Sequence, residues 1–428
     1  MINIGLLGCG TVGSGVVKLL QENRAAIEAK TNSQLSIVKV LELDRQKCLQ
    51  SGIDDSIITD NIEEIINDES IDIVVELIGG IEPALSFITA AMKKGKHVVT
   101  ANKDLIAEHG EELFATAAEN GVDFYFEASV GGGIPIVYPL KQSLAGNKIQ
   151  EVIGILNGTT NYILTKMSQE GRDFEEVLQE AQQLGYAESD PTADIGGWDA
   201  ARKIAILSSI AFNSRVTLSD VYVEGITSIN AKDILYAREL GFVIKLLAIA
   251  KESDGKIQSR VHPAFLPMGH PLANVNGVFN AIFVRGNAVG DVMHFGRGAG
   301  QMPTASAVVG DIIEIGRNMA FQINSRIGCT CYEEKEILPI DELCAQYYIR
   351  MNVTDRPGVL AGIAGVFGAN QVSIASVIQK SSSADKAELI LITHTVKEKY
   401  LQDSLQTLRR MDIVAEINNV IRLEGVEE

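Results

Sequence analysis

The fold is decided by the N-terminal stretch INIGLLGCGTVGSGVVKLL, residues 2–20. The apolar run 2–8 predicts a buried strand, and the residues after the glycines predict a helix. Between them Gly8, Gly10 and Gly13 form the pattern G-x-G-x-x-G. There the first glycine makes the turn, the second lets the backbone approach a pyrophosphate, and the third packs the helix on the strand. The stretch predicts a dinucleotide-binding fold, with a glycine-rich turn that binds no ligand as the alternative.

Further apolar runs extend this start into a sheet. Strands are predicted at 35–44, 71–80 and 97–103, with a helix near 83–94. Strands that alternate with helices form βαβ units, and their sheet is parallel. The first part of the chain is therefore predicted to be a Rossmann-like α/β domain.

Two residues at the end of the second strand bear on the cofactor. Asp44 suits a free ribose 2′-hydroxyl, as in NAD, and Arg45 suits a 2′-phosphate, as in NADP. Both are equally compatible with a solvated strand end. The sequence leaves NAD and NADP open, and Arg45 favours NADP.

The end of the strand 97–103 carries Thr100, Asn102 and Lys103. Ligands of parallel sheets bind at the carboxyl ends of the strands. Lys103 is therefore predicted to lie in the active site, although an exposed lysine at a helix start has the same sequence signature.

The stretch LGYAESDPTADIGGWDAARKIAIL, residues 184–207, predicts a polar loop followed by a buried helix. Asp199 and Lys203 lie four residues apart on one face of that helix, the favoured spacing for an ion pair. A lysine in a dry helix needs a partner or a task, because burial lowers its pKa. The pair is either structural or part of a polar site, and the upstream carboxylates Glu188 and Asp194 favour the site.

Two more loops are rich in polar or backbone groups. Glu127 precedes a glycine turn whose carbonyls suit a small hard cation, although a tight crossing of backbones explains the glycines equally well. The run Asn157–Asn161 lies between a strand and a helix. It is either a helix cap or a substrate clamp.

Composition limits the class of protein. A chain of 428 residues is too long for one core, so two or three domains are expected. The net charge of −18 argues against nucleic acid or an anionic membrane surface as a partner. The five cysteines form no disulfide framework, and no apolar run reaches the roughly 18 residues of a membrane span. We therefore expect a cytoplasmic protein without a targeting segment.

The chain from about residue 346 predicts a separate domain. Its pattern is strand, helix (358–369), strand (372–379), strand (387–394), helix (397–410) and strand (413–423), which is the ferredoxin-like order βαββαβ. The segment DRPGVL resembles ACT domains, which sense amino acids. Gly358 begins the first helix, where free amides suit a carboxylate. The alternative is a dimerisation module without a ligand, and the exposed sheet edges favour a homo-oligomer in either case.

The segments GLLGCGTVG, VVTANK, EASVGGGIP, NGTTNYIL and GWDAARK, in this order, resemble homoserine dehydrogenases over roughly the first 320 residues. That family reduces L-aspartate 4-semialdehyde to L-homoserine with NAD or NADP, on the route to threonine, methionine and isoleucine. The resemblance implies a domain at 1–130, completed by about 300–330, that binds the dinucleotide. It also implies a substrate-binding and dimerisation domain at 131–299 of α+β type, before the ACT-like domain at 346–428. Threonine is the expected effector.

The resemblance also implies the roles of single residues. Lys203 transfers the proton, and Lys103 is the second lysine of the site. The residues implied to contact substrate are Gly185, Glu188, Asp194 and Asp199. The expected cofactor contacts, with Arg45 added from the strand-end argument above, are Gly8, Gly10, Thr11, Val12, Gly13, Arg45, Thr100, Lys103, Gly185 and Gly300. The residues implied around a monovalent cation, expected to be sodium, are Glu127, Val130, Gly132 and Ile134.

Two other functions remain open. An acylating semialdehyde dehydrogenase needs a cysteine nucleophile with a base, and neither Cys9 in the cofactor loop nor Cys48 on a predicted surface helix has a histidine nearby in sequence. A redox-inactive amino-acid sensor would keep the nucleotide fold as a scaffold. Such a sensor has no evident need for Lys203, Asp199 and Glu188.

Overall fold

The structure is a computed structural model, and it describes residues 1–324, 326–383 and 386–426. The strands are β1 (Ile2–Leu7), β2 (Leu35–Leu41), β3 (Ile58–Thr59), β4 (Ile73–Glu76), β5 (His97–Thr100), β6 (Phe124–Tyr125), β7 (Ile149–Ile155), β8 (Tyr222–Val223), β9 (Phe242–Ser253), β10 (Lys256–Pro267), β11 (Phe279–Gly286), β12 (Gly290–Arg297), β13 (Glu336–Ile337), β14 (Cys344–Thr354), β15 (Ile374–Ser383), β16 (Lys386–Thr393), β17 (Val396–Lys397) and β18 (Val414–Leu423). The helices are α1 (Thr11–Glu22), α2 (Arg24–Thr31), α3 (Arg45–Gln50), α4 (Glu63–Ile66), α5 (Ala84–Lys93), α6 (Lys103–Glu119), α7 (Gly158–Glu170), α8 (Phe174–Gln183), α9 (Thr192–Ile195), α10 (Trp198–Ala211), α11 (Ala231–Glu239), α12 (Gln301–Ala320), α13 (Val359–Ala369) and α14 (Glu398–Leu408).

The chain divides into two compact units. Unit 1 contains Met1–Gly158, Ala201–Val221 and Phe279–Lys335, and unit 2 contains Thr159–Ala200, Tyr222–Val278 and Glu336–Glu428. The predicted division into three domains at 1–130, 131–299 and 346–428 stays a prediction.

Unit 1 is built on a parallel sheet with the strand order β3-β2-β1-β4-β5-β6. This is the order of a Rossmann fold, in which the chain reverses direction beside the first strand. The apolar runs that predicted the strands provide the core, because Ile4, Leu6, Ile73 and Val75 are fully buried. The predicted Rossmann-like fold is confirmed. The strand predicted at 35–44 ends at Leu41, three residues early.

Helix α12 packs on α1 in unit 1. A Cβ atom on Gly15 of α1 would lie 2.7 Å from the Gln301 carbonyl oxygen, so the backbones meet at a distance that excludes any side chain. Unit 1 also contains the antiparallel strands β12, β11 and β7 in that order.

Unit 2 contains a sheet with the order β9-β10-β18-β14-β16-β15. Strands β9 and β10 pair over twelve residues and turn at Asp254 and Gly255. Both turn residues have positive φ, the conformation that tight hairpins require.

The C-terminal part of unit 2 has the predicted order βαββαβ, formed by β14, α13, β15, β16, α14 and β18. The strands lie in the order β18-β14-β16-β15, and the helices α13 and α14 share a core with them. The ferredoxin-like prediction is confirmed.

One local prediction is wrong. Cys48 lies on α3 but is fully buried rather than at the surface. Its thiol packs against Cys9, and burial raises the pKa of Cys48 to about 12. Across the described ranges, no helix is both long enough and apolar enough to span a bilayer.

Candidate active site

The glycine loop joins β1 to α1 as the sequence predicts. Gly8 has φ +95°, and a Cβ atom on Gly13 would lie 2.2 Å from the Gly8 carbonyl oxygen, so neither position accepts a side chain without a shift of the backbone. A Cβ atom on Gly10 would meet nothing within 4 Å. Helix α1 begins at Thr11 with no side-chain cap. Its first amides are therefore placed to bind a phosphate.

Glu42, the first residue after β2, holds this loop in place. Its Oε2 accepts the amide of Cys9 at 2.9 Å, and its Oε1 accepts the amide of Asp44 at 3.1 Å. The carboxylate thus lies where Rossmann folds meet the adenosine ribose. Sequence reasoning missed it, because the strand was predicted to continue to residue 44.

The two residues expected at this position have other partners. Asp44 caps α3 by accepting the amide of Gln46 at 3.2 Å. Arg45 donates to Asp55 Oδ1 at 2.7 Å through Nη2 and to the Ile58 carbonyl at 3.3 Å through Nη1. The side chains of Arg45 and Asp55 are both exposed, as are those of Asp44 and Gln46. The ion pair between Arg45 and Asp55 therefore contributes little to stability.

A second buried carboxylate organises the ends of β4 and β5. Glu76 is fully buried, and its Oε2 accepts the hydroxyl of Thr100 at 2.5 Å. Its Oε1 accepts the amides of Ile78 at 2.8 Å and Gly79 at 3.0 Å. Glu76 therefore fixes both Thr100 and the loop after β4. An acidic residue that ends an otherwise apolar strand is a signal that sequence reasoning could have used.

Asn102 places Lys103 at the start of α6. The Asn102 Oδ1 accepts the amide of Leu105 at 3.1 Å, and its Nδ2 donates to the Gly80 carbonyl at 2.6 Å. Lys103 is half-buried, with its Nζ 3.9 Å from Asp104 Oδ2. The other oxygen of Asp104 lies 2.5 Å from Arg202 Nε on α10. One ion pair thus links the neighbours of the two predicted catalytic lysines, Lys103 and Lys203.

Helix α10 is as buried as its sequence predicts, since Ala201, Ile204, Ala205 and Leu207 are all fully buried. Lys203 is half-buried on this helix, and its Nζ donates to the Leu156 carbonyl at 2.8 Å. Leu156 immediately follows β7 and precedes Asn157. The run Asn157–Asn161, the NGTTN segment, was expected to be a loop, but α7 begins at Gly158, so most of the run is the first turn of that helix. The contact therefore places the ammonium of Lys203 next to the residue before the NGTTN segment.

The predicted substrate residues belong to unit 2. Gly185 and Glu188 are exposed on the segment after α8, and Asp194 and Asp199 are half-buried on α9 and α10. The hydroxyl of Thr159 lies 3.1 Å from Asp194 Oδ2 and 2.6 Å from the Tyr186 carbonyl. The first turn of α7 thus contacts the segment that carries Tyr186 and Asp194, and the choice between helix cap and substrate clamp stays open.

Glu127 is buried and satisfied by backbone amides. Its Oε1 accepts the amides of Ile136 at 2.6 Å and Val137 at 2.9 Å, and its Oε2 accepts that of Tyr138 at 2.6 Å. Burial nevertheless raises the pKa of Glu127. The neighbouring Asp311 accepts the Glu127 amide at 2.9 Å, and its own pKa is raised well above the usual value, also by burial.

The other predicted cation residues follow Glu127 in a tight turn. Val130 and Ile134 are buried, and a Cβ atom on Gly132 would lie 2.4 Å from the Gly298 carbonyl oxygen. Close contact of two backbones therefore explains this glycine without a ligand. No group of three His, Cys, Asp or Glu side chains suited to a metal occurs among the residues that the structure describes.

Gly300, the remaining predicted cofactor residue, lies immediately before α12 with φ +122°. The structure therefore places the predicted cofactor residues as follows: in unit 1, Gly8, Gly10, Thr11, Val12, Gly13, Arg45, Thr100, Lys103 and Gly300, and in unit 2, Gly185.

Comparison with known proteins identifies the family. The model described as "Homoserine dehydrogenase, NAD binding domain" matches residues 8–127, the model "Homoserine dehydrogenase" matches 135–313, and the model "ACT domain" matches 347–412. A homoserine dehydrogenase of Synechocystis is 47% identical over 433 residues, which cover 99% of each chain. The crystal structure of a homoserine dehydrogenase from Thiobacillus denitrificans aligns with TM-score 0.94 at 42% identity, over 99% of this chain and 98% of that one.

A more distant structure contains a bound cofactor. A hyperthermophilic archaeal homoserine dehydrogenase in complex with NADPH aligns with TM-score 0.62 at 29% identity, over 76% of this chain and 99% of that one. The glycine loop, the strand order and the matches over almost the full chain agree. The chain belongs to the homoserine dehydrogenase family of oxidoreductases, with an NAD(P)-binding domain and a C-terminal ACT domain.

Proposed function

We propose that the chain interconverts L-homoserine and L-aspartate 4-semialdehyde by hydride transfer to and from a nicotinamide, with Lys203 as the proton carrier. The observation that carries this proposal is the hydrogen bond from Lys203 Nζ to the Leu156 carbonyl. It holds a half-buried ammonium beside the start of the NGTTN segment. The bound nicotinamide supplies or accepts the hydride. The protein must orient the substrate and move one proton.

Lys203 serves both directions of the reaction. In reduction, its ammonium protonates the carbonyl oxygen that becomes the hydroxyl of homoserine. In oxidation, its neutral amine accepts the hydroxyl proton. General acid–base catalysis of this kind contributes a factor of about 10² to 10⁴ in rate. Lys103, at the start of α6, is the second lysine of the proposed site.

Carboxylates are the natural partners of the substrate's α-ammonium. We assign this contact to Glu188 and Asp199, with Asp194 and Gly185 completing the substrate segment. A hydrogen bond to a charged partner is roughly twice as strong as a neutral one, so these residues both bind and orient the substrate. Thr159 supports the assignment, because its hydroxyl on the first turn of α7 donates a hydrogen bond to Asp194.

The glycine loop fits a dinucleotide. A bound pyrophosphate would lie at the amides of Gly10, Thr11 and Val12, where the N-terminal end of α1 provides positive charge. Thr100 and Lys103 would contact the nicotinamide half, and Gly185 and Gly300 are the remaining proposed cofactor contacts. The open space around Gly10 supports this assignment.

Glu42 favours NAD over NADP. A carboxylate at the end of β2 can accept a hydrogen bond from the ribose 2′-hydroxyl but repels a 2′-phosphate. Arg45 would have to leave Asp55 to reach such a phosphate. We therefore propose NAD as the better substrate, in contrast to the preference that Arg45 indicates in the sequence alone.

A monovalent cation fits only through backbone oxygens. Three of the lone pairs of Glu127 already accept amides. In the described ranges, no donor reaches the carbonyl oxygens of Val130, Gly132 and Ile134. We propose that these carbonyls would hold sodium, and that Glu127 holds the turn that presents them.

We also propose regulation by an amino acid, with threonine as the first effector to test, and a homo-oligomeric assembly. The ACT domain supports the effector. Strand β12 supports the assembly, because Met293 and Phe295 are 41% and 54% exposed on one of its faces. Contiguous apolar patches mark protein interfaces, and these two side chains lie two residues apart on the same face of β12.

The decisive experiment follows the absorbance of reduced nicotinamide with L-homoserine, with NAD and NADP supplied separately. We expect the parent protein to oxidise L-homoserine with at least one of the two cofactors. Lys203→Ala should lose about 10²- to 10⁴-fold in kcat while cofactor binding is unchanged. The control is Lys166→Ala, which removes a half-buried lysine of α7 paired with Glu170.

Two outcomes would contradict this assignment. Full turnover by Lys203→Ala would mean that Lys103 or water, and not Lys203, transfers the proton. Absence of turnover by the parent with either cofactor, despite cofactor binding, would favour the alternative that the chain is a redox-inactive amino-acid sensor.

A further inference from the structure

Strand β9 carries a buried lysine that the proposed reaction does not use. Lys245 is 3% exposed, and its side chain lies beside the start of α7 in unit 2. Among the residues that the structure describes, no carboxylate forms an ion pair with its ammonium, and burial alone lowers the pKa of Lys245 to about 8. The group therefore keeps its charge at neutral pH without the paired carboxylate that a buried cation normally requires.

Three oxygen atoms surround this ammonium. Its Nζ donates to the Val275 carbonyl at 2.6 Å, to Asn161 Oδ1 at 3.1 Å and to Asn276 Oδ1 at 3.2 Å. An ammonium has three donors, so these contacts use all of them. The acceptors belong to two segments, the first turn of α7 and the residues after the short turn 271–274. Lys245 therefore joins both segments to β9.

The same two segments also bond to each other. Asn161 Nδ2 donates to the Val275 carbonyl at 3.1 Å, and the Gly277 amide donates to Thr165 Oγ1 at 3.1 Å. The Thr165 hydroxyl in turn donates to the Asn161 carbonyl at 2.6 Å. Asn161 and Thr165 are both buried. The start of α7 is thus held by a buried hydrogen-bond network that includes Lys245.

The same turn of α7 contacts the acidic segment that we propose binds substrate. The hydroxyl of Thr159, two residues before Asn161, lies 2.6 Å from the Tyr186 carbonyl and 3.1 Å from Asp194 Oδ2. Thr159 and Asn161 belong to one helical turn, so a shift at one is transmitted to the other. Lys245 is therefore connected to the substrate segment through a single turn of helix.

The stability of α7 does not explain a cation at this position. The N-terminal end of a helix carries a partial positive charge, so a buried ammonium beside the first turn opposes the helix dipole. A methionine in place of Lys245 would fill a similar volume without removing a charge from water. A charge-assisted hydrogen bond is roughly twice as strong as a neutral one, so what the ammonium provides is a firmly defined position for Asn161.

We propose that Lys245 is a positioning residue for substrate binding. Through Asn161 it holds the first turn of α7 in the geometry that brings Thr159 to the acidic segment. This role rests on the proposed reaction, in which that segment binds L-homoserine. Because Lys245 is buried and all its donors are used, it acts through Asn161 and not by contact with substrate.

Steady-state kinetics of Lys245→Met test this role. The KM for L-homoserine should rise at least tenfold, whereas kcat should change less than threefold, as expected for a lost contribution to substrate binding. The KM for NAD should change less than twofold, because the network contains none of the proposed cofactor residues. The midpoint of urea unfolding should match that of the parent, since the lost hydrogen bonds are offset by the relief of desolvation. A merely structural lysine would instead lower the midpoint and leave both KM values unchanged.

Two further variants and a control sharpen the test. Asn161→Ala alone should also raise the KM for L-homoserine, and combined with Lys245→Met it should add nothing to the larger single effect, because both remove one link. Lys245→Gln keeps a donor without the charge; it should give an intermediate KM, and it becomes the test variant if Lys245→Met does not fold. The control is Lys251→Met, which removes a 36% exposed lysine of the same strand from Glu424 and should leave this KM within twofold of the parent value.

Amide hydrogen exchange gives a readout that does not depend on turnover. Peptides covering residues 158–166 should exchange at least tenfold faster in Lys245→Met than in the parent, while peptides from α1 should be unchanged. An unchanged KM for L-homoserine, additive effects in the double variant, or unchanged exchange in α7 would each overturn the proposal. A parent protein that binds L-homoserine in calorimetry without oxidising it would refute the proposed reaction alone, and the same tenfold loss in Lys245→Met would then be read from the dissociation constant. A parent that does not bind L-homoserine would refute both.

Discussion

Removal of the buried carboxylate of Asp233 should strongly destabilise unit 2. Asp233, on α11, is fully buried and accepts bonds from Arg350 Nε at 2.8 Å and Nη2 at 3.2 Å. Asn419 Nδ2 at 2.8 Å and the hydroxyl of Tyr348 at 3.2 Å complete its partners. Asp233→Ala leaves the buried guanidinium of Arg350 with Glu388 Oε2 at 3.5 Å as its carboxylate contact in the described residues.

The size of the effect follows from this geometry. Breaking a buried pair from one side costs about 3–5 kcal/mol, because the remaining charge stays desolvated. Four hydrogen bonds from the described residues end on the Asp233 carboxylate, so we expect a loss of about 4 kcal/mol in the free energy of unfolding. Asp233→Leu combined with Arg350→Met removes both charges at once and should cost far less than the sum of the single changes.

Urea unfolding measures this difference. Trp198, the only tryptophan of the chain, lies in unit 2, and its fluorescence should be followed beside the far-ultraviolet circular dichroism. The control is Lys232→Ala, which removes a 61% exposed side chain from Glu388 and should cost less than about 1 kcal/mol. A cost below about 1 kcal/mol for Asp233→Ala, or full additivity in the double variant, would refute the reasoning.

Three further predictions concern single side chains. Glu42→Ala should raise the ratio of kcat/KM with NADP to that with NAD at least tenfold, since it removes the charge that opposes a 2′-phosphate; an unchanged ratio in steady-state assays would contradict the role of Glu42. Burial lowers the pKa of His262 to about 3, so its contribution to stability is complete above the unfolded pKa near 6.5 and is lost as the pH falls towards 3. Unfolding free energies at pH 7 and 5 should therefore show a loss of about 2 kcal/mol that His262→Gln lacks, and equal losses in both proteins would refute it. The hydrogen bond from Cys331 lowers the pKa of Cys329 to about 6, so alkylation of Cys329 followed by mass spectrometry should reach half its maximal rate near pH 6, and near a higher pH in Cys331→Ala, which removes the donor.

The sequence was sufficient for features that depend on neighbours along the chain. The G-x-G-x-x-G loop, the alternating strands and the βαββαβ order all follow from local patterns, and each is confirmed. The burial of α10 was predictable for the same reason, because the helix is apolar on nearly every side apart from the face of Asp199 and Lys203.

Features that depend on residues distant in sequence could not be predicted. Glu42 and Cys9 are 33 residues apart, and only the pairing of β1 with β2 brings them together. Glu76 reaches Thr100 because β4 and β5 are adjacent. Arg45 was expected to face the cofactor, but its partner Asp55 belongs to the next turn of chain. Local patterns predict which residues are polar, and the strand order determines which of them meet.

The charges buried in unit 2 connect the ACT strands to the segments around them. Arg350 of β14 binds Asp233 of α11, and Arg422 of β18 binds Glu224 after β8. Apolar pairs would hold these surfaces together at least as strongly, because buried ion pairs lose most of their attraction to desolvation. What ion pairs add is dependence on the local field. An effector of the kind proposed above would shift an equilibrium between two arrangements of this junction only by its difference in affinity for them.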